Sequence, residues 1–225
     1  VAAACAIAGI IAGCITVTGL ASKLIGGIVS LSGGIPIIGM LLTMICCIVL
    51  GMGVPTTANY CIMATTCAPI LEQLGIPRVA AHFFVFYFGI VADITPPVAL
   101  AAYAGSAIAK GNPMKTGINA TKLAIAAFIV PYIFALDPSM LFVNTEVIDV
   151  ITICISAVIG IFGVATAMNG YLFKKIIWPF RVLFAVGGLT LLIPGLVTDI
   201  IGLVLVGGLT AYQYFSARGS IARAA

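Results

Sequence analysis

The chain has 225 residues, of which 63% are hydrophobic and 7% charged, with a net charge of +4 and a mean hydropathy of +1.29. A soluble domain carries about 25% charged residues, so a water-soluble surface is excluded, and basic residues scattered between apolar runs argue against a nucleic-acid partner. Repeated apolar runs near the ~20 residues of a spanning helix, without the alternation of a transmembrane β-barrel, predict an all-α polytopic membrane protein in contact with the lipid bilayer.

In chain order, a first apolar run covers 2–21 and ends at Ser22 and Lys23. It begins at Val1 with no charged segment or cleavage site before it, so the chain reads as a fragment of a longer protein rather than one opening on a signal peptide. The Gly- and Ser-rich stretch GGIVSLSGG then leads into a run over 35–50. Residues 51–60, GMGVPTTANY, interrupt the apolar pattern with two glycines, a proline, two threonines and an asparagine, and a further run over 58–74 closes at Gly75 and Pro77. Segment 35–74 admits two readings: two full spans joined by an aqueous loop, or a re-entrant hairpin whose tip stays at membrane depth. The absence of charge from Ser30 through Leu71 leans toward the hairpin, because irregular backbone at that depth must be covered by protein or line a polar cavity.

The next apolar run, 82–109, would make about 42 Å of straight helix, too long for a hydrocarbon core of about 30 Å. ADITPPV lies inside it, and Pro96 and Pro97 remove two backbone donors while Pro96 disfavours helical geometry at Thr95. A discontinuous helix with halves 82–93 and 97–109 is expected. Connections at 110–117 and 136–146 flank a helix over 118–135, and three more apolar runs follow near 147–168, 180–194 and 199–214. Lys110, Lys115 and Lys122, then Lys174, Lys175 and Arg181, then Arg218 and Arg223 form basic clusters, whereas Asp137, Glu146 and Asp149 sit between the first two. Alternate threading puts the basic clusters on the cytoplasmic side, with residues 137–149 and the connection 75–81 outside.

Broken helices near a midplane present carbonyl oxygens at one half-helix end and N–H groups at the other, as in ion-coupled transporter sites. Gly51, Gly53 and Pro55 let the tip leave the helix, and Thr56 and Thr57 add hydroxyls, a set of hard oxygen ligands suited to sodium. Asp93 is an intramembrane carboxylate, costly enough to mark function, although it could instead cap the half-helix that follows. Asn59 could bind substrate or satisfy the turn, and Thr65 and Thr66 could back-bond to helix carbonyls. His82, beside Arg78, reads as an interfacial residue, and the aromatics of HFFVFYF as lipid-facing or interfacial packing. The seven cysteines lie in apolar segments without metal or redox spacing and read as buried packing residues. Neither a Walker motif nor a Ser-His-Asp set nor clustered metal ligands appears, and Asp93 has no second ionisable neighbour, so an enzyme or ATP-driven pump gains no support. A channel or a structural membrane scaffold remains the alternative to a transporter.

GMGVPTTANY, APILEQLGIP, HFFVFYFGIVADITPPVALAAYAGSAIA and TG-x-x-A-x-KLAIAAFIVPYIFALDP together resemble the C-terminal half of the large membrane subunit of tripartite ATP-independent periplasmic (TRAP) transporters, closest to the form in which small and large subunits are fused. The resemblance spans residues 1–143 and leaves 144–225 as additional transmembrane helices without an assigned role. It implies the second inverted repeat of an elevator-type permease, with a re-entrant hairpin (35–74) and a broken helix (82–109). The activity implied is sodium-coupled import of organic acids across the bacterial or archaeal cytoplasmic membrane. It also implies a periplasmic substrate-binding protein as partner, with the first repeat and the small-subunit region completing the permease, and no cofactor beyond sodium as coupling ion. Sodium would sit near Gly51, Gly53, Val54, Thr56, Asp93 and Thr95, and substrate beside Thr57, Asn59 and Pro97.

Overall fold

The computed structural model describes residues 2–97, 99–143, 145–193 and 195–222, and these are helical apart from turns and one isolated bridge between Tyr171 and Lys175. Two compact units divide at residues 135 and 136.

The first unit opens with α1 (Ala2–Val17) and α2 (Leu20–Ser32). The expected run to residue 21 is thus cut earlier, and the Gly/Ser-rich stretch is helix as far as Ser32, with Gly33 and Gly34 in left-handed geometry beyond it. Gly19 adopts a left-handed φ of 67°, and Thr18 turns its hydroxyl back onto the Cys14 carbonyl at 2.7 Å, which ends α1 at that point. Gly26 and Gly27 cost helix propensity only, roughly 1 kcal/mol each, and the surrounding Leu, Ile and Val residues carry the helix through them.

Helix α3 (Pro36–Gly51) starts on an N-terminal proline, whose missing N–H would be unpaired there anyway. It is followed by α4 (Thr56–Thr66) and α5 (Ala68–Gln73), and then by α6 (Arg78–Val91), which begins before the expected residue 82 because Pro77 pre-sets its entry. The hydroxyls of Thr65 and Thr66 both return to the Ile62 carbonyl, at 2.9 and 2.8 Å, as back-bonding predicts. The aromatic run of α6 is split by its helical period rather than turned outward as a whole. Phe84 and Phe88 are fully buried, one turn apart, whereas Phe83 and Phe86 are exposed. The buried pair packs edge-on to Tyr132, at 5.3 and 5.9 Å between centroids, and the Tyr132 hydroxyl reaches the Met44 sulfur on α3 at 3.3 Å. Met40, Cys47, Met63, Ile70, Leu71 and Val85 complete this core.

After α6 comes a 3-10 turn over Ala92–Ile94, and then α7 (Leu100–Ile108), α8 (Pro113–Leu123) and α9 (Ile125–Leu136). The helix expected over 118–135 begins instead at 113, so Lys115 lies on helix and not in a loop. Asn112 caps it by accepting from the Lys115 amide at 3.1 Å, and Pro113 fills the first helical position. Residues 113–136 then form one candidate span.

The second unit is built on α10 (Val147–Asn169), α11 (Trp178–Thr190) and α12 (Leu196–Ala222). Stretches 147–169 and 197–216 have spanning length and composition. Helix α11, at 13 residues, makes only about 20 Å, short of a ~30 Å hydrocarbon core. Glycines bring the three helices together. A Cβ at Gly188 would lie 2.6 Å from the Gly160 carbonyl oxygen and 2.8 Å from the Val164 amide nitrogen, and one at Gly163 would lie 3.1 Å from the Gly188 Cα. Backbone on both sides leaves nothing that can yield. Gly188→Leu is therefore expected to destabilise the detergent-solubilised protein by about 1–3 kcal/mol, as overpacking does, in a thermal melt. Gly207→Ala, where an added Cβ meets nothing within 4 Å, is expected to leave the melt unchanged or raise it.

Candidate functional site

The hairpin turn lies between α3 and α4. Met52 leaves the helix in extended geometry, Gly53 adopts φ 75°, a left-handed value that glycine reaches without penalty, and the Val54 amide reaches back to the Gly51 carbonyl at 3.4 Å. Pro55 then starts α4, with the Asn59 amide bonded to its carbonyl at 2.9 Å. The carbonyls of Met52, Gly53 and Val54 accept no hydrogen bond from described residues, and the hydroxyls of Thr56 and Thr57 stand exposed. The side chain of Val54 packs with Ala58 and Ile62, so only its carbonyl is offered to a ligand.

Several backbone carbonyls of residues 91–97 are bonded within the interrupted segment's own neighbourhood. Thr95 donates its hydroxyl to the Val91 carbonyl at 2.7 Å and its amide to the Ala92 carbonyl at 3.2 Å. Thr121 of α8 bonds the Ile94 carbonyl at 3.1 Å, and the Tyr103 hydroxyl bonds the Pro97 carbonyl at 2.7 Å. The Pro96–Pro97 peptide is cis, and Ala99 enters α7 at φ 34°, a left-handed value that costs an L-residue about 1–2 kcal/mol. Asp93 projects from the 3-10 turn, half-buried, and its carboxylate has no hydrogen-bond partner among the described residues. It caps neither that turn nor α7.

Tip and break meet through Asn59. Its side chain is 2% exposed and donates from Nδ2 to the Gly89 carbonyl of α6 at 3.1 Å, while Oδ1, also buried, has no partner. The amide fits because two glycines make room for it. A Cβ on Gly89 would lie 2.9 Å from Asn59 Nδ2, and one on Gly51 would lie 2.8 Å from the same nitrogen and 3.1 Å from Ala92 Cβ. Gly51, Asn59, Gly89 and Ala92 thus form one junction, adjacent in sequence to Asp93. Of the residues singled out from sequence, Gly51 and Asn59 are joined here; Thr95 and Pro97 spend their polar groups inside the break, and Gly53, Thr56 and Thr57 line the exposed turn. Gly89, Thr121 and Tyr103 were missed. A lone glycine inside FYFGIV, where a helix would otherwise continue its aromatics, is the readable sign of close approach.

A second polar group lies apart from the junction. Tyr60 and His82 Nδ1 are 3.0 Å apart, and Glu72 lies 3.5 Å from His82 Nε2 and 3.9 Å from Arg78. Tyr60, Arg78 and His82, with Val79, Phe83 and Phe86, border a largely apolar groove of about 550 Å³. The cysteines do not all behave as buried packing: Cys47 and Cys67 are buried, but Cys14 and Cys61 are exposed, and these, with Cys46 and Cys154, are free thiols. The described residues hold no group of three or more metal-ligating side chains.

Apolar helices of spanning length make the chain a multi-pass membrane protein. Residues 1–148 match the family described as Tripartite ATP-independent periplasmic transporter, DctM component, and the chain belongs to that family, as the motifs GMGVPTTANY and ADITPPVALAAY imply. Searches of curated proteins and of solved structures found no match.

Asn59→Ala removes the donor to Gly89 and opens a cavity at the junction. It is expected to lower stability by about 1–3 kcal/mol, the penalty for stranding a buried acceptor, whereas Thr57→Ala, at an exposed position, is expected to be neutral. Thermal unfolding of both variants in the same detergent tests the difference.

Proposed function

We propose that the chain is the second-repeat part of a permease that imports organic acids, driven by a sodium gradient and supplied by a periplasmic substrate-binding protein, in the cytoplasmic membrane. The first repeat and the small-subunit region complete the transport unit, and residues 36–66 act as the re-entrant hairpin that moves with its substrate in an elevator-like step. The single observation that supports this most is the junction at Asn59, which sets a turn with three unpaired carbonyls beside a helix break that carries an unpaired carboxylate. Oxygen ligands at a broken helix are suited to a hard monovalent cation. In this reading the Gly51, Gly53 and Val54 carbonyls, the Thr56 hydroxyl, the Asp93 carboxylate and Thr95 supply the sodium site. Thr57 and Pro97 face substrate. Asn59, which the family resemblance sets beside substrate, also fixes the distance between tip and break, because its Nδ2 donates to the Gly89 carbonyl and its side chain is enclosed.

The test needs no knowledge of the substrate. In the full-length transporter carrying Thr56→Cys, labelling of that position by a membrane-impermeant thiol reagent, mapped by mass spectrometry, is expected to slow several-fold in sodium relative to potassium. Asp93→Asn in the same background is expected to abolish the protection. Labelling indifferent to sodium would remove the ion site and leave the scaffold or channel reading.

A further inference from the structure

The family match ends at residue 148, so the three tail helices have no role assigned by it. Between α10 and α12 runs a groove of about 490 Å³, walled by Ile159, Phe162, Phe173, Val206 and Phe215 and floored by Gly207. Its walls are largely apolar: the Thr210 hydroxyl is spent on the Val206 carbonyl, Tyr214 adds its phenol ring at the Phe215 end, and a Cβ on Gly207 would meet nothing within 4 Å, so the floor is open. From Leu203 to Phe215 the groove follows α12 for about 18 Å, close to the depth of one leaflet of a ~30 Å hydrocarbon core.

Its two ends differ. At the Phe215 end, Phe173 and Tyr214 meet edge-on at 5.4 Å and Tyr214 and Phe215 at 5.7 Å, an aromatic group of the kind that sits at a headgroup boundary. Lys174 and Lys175 follow Phe173 directly. The ammonium of Lys174 donates to the Ser216 hydroxyl and lies 5.6 Å from the centroid of Tyr212, which holds it at this end. Lys175 is exposed and has no ion pair among the described residues. The loop that carries both lysines is closed by the Ile176 amide bonding the Gly170 carbonyl at 2.9 Å. Arg181 is not part of this cationic end, because it spends its guanidinium on the Ala167 and Met168 carbonyls at 2.8 and 2.9 Å and so caps α10.

We propose that this groove binds one acyl chain of an anionic phospholipid from the leaflet on the basic side of the protein, with the lipid phosphate held by Lys175 and Lys174. A neighbouring apolar helix would fill the same walls but would offer no counter-charge to Lys174, held at the Phe215 end, or to Lys175 beside it in sequence. An acyl chain joined to a phosphate matches both the leaflet-length apolar trough and the charge at its end, and the Lys/Arg bias places that end at the cytoplasmic leaflet, where anionic lipids attract basic residues. The proposal rests on the membrane reading of the chain and is independent of sodium coupling. In it, the tail serves as a flank anchored by lipid.

The full-length transporter in nanodiscs, exposed to phosphatidylglycerol bearing a diazirine in its acyl chain, tests this directly. Cross-links read by mass spectrometry are expected to concentrate on residues 159–162 and 203–215, and to be displaced by unlabelled phosphatidylglycerol but not by phosphatidylcholine. Lys175→Gln is expected to lower the yield at sub-saturating probe about fivefold, the worth of one lysine near an anionic surface. Gly207→Leu, which fills the trough at an open position, is expected to abolish it while the thermal melt stays unchanged. Equal cross-linking by a phosphatidylcholine analogue, labelling spread evenly along α12, or a protein partner captured in the groove in place of lipid would each overturn the proposal.

Discussion

A single buried side chain links the two irregular segments of the first unit. The amide of Asn59 lies between Gly51 at the end of α3 and Gly89 near the end of α6, and its one hydrogen bond crosses from the hairpin to the interrupted helix. In a membrane interior no water stands ready to replace that bond, so separating hairpin and helix would leave the Gly89 carbonyl and the whole amide unpaired. The glycines are a condition of the contact, because a methyl group at either position would press on the Asn59 nitrogen.

With that contact in place the two segments take different parts. The break is self-sufficient: threonine, tyrosine and backbone donors occupy the carbonyls of Val91, Ala92, Ile94 and Pro97, which holds an otherwise costly non-helical stretch in one shape. The turn after Gly51 is the opposite, with the Met52, Gly53 and Val54 carbonyls bonded to none of the described residues and Thr56 and Thr57 exposed. Rigid support beside oxygen atoms that are free to turn toward a ligand is a combination a cation site can use. Asp93 stands where the helix stops, and its carboxyl group has no hydrogen-bond partner among the described residues.

Much of this could be read before any coordinates. Gly51, Gly53 and Pro55, and Pro96 and Pro97, are punctuation that acts through local backbone chemistry, so the turn and the interruption at ADITPP are visible in the sequence, as is the family. What escaped depends on neighbours. Glycine and serine are weak helix formers, yet Leu20, Leu24, Ile25, Ile28 and Val29 carry α2 through GGIVSLS, and only the last two glycines of that stretch turn the chain. The aromatic run of α6 looked uniform, although helical period sends Phe84 and Phe88 to Tyr132 and leaves Phe83 outside. The start of α8 was legible and was passed over, since Asn112-Pro113 is a cap followed by the residue best suited to a first turn. Nothing in Asn59 alone distinguishes a ligand from a strut; the distinction needs Gly51 and Gly89, of which Gly89 is remote in sequence and adjacent in space.

The central claim is that tip and break act as one ion-responsive unit through Asn59. Hydrogen–deuterium exchange of the full-length transporter in sodium and in potassium measures it most directly. Peptides covering residues 51–57 and 92–97 are expected to gain protection together in sodium, and to lose that common response in Asn59→Leu. Protection that appears in one segment alone, or exchange in both that ignores the cation, would contradict the account.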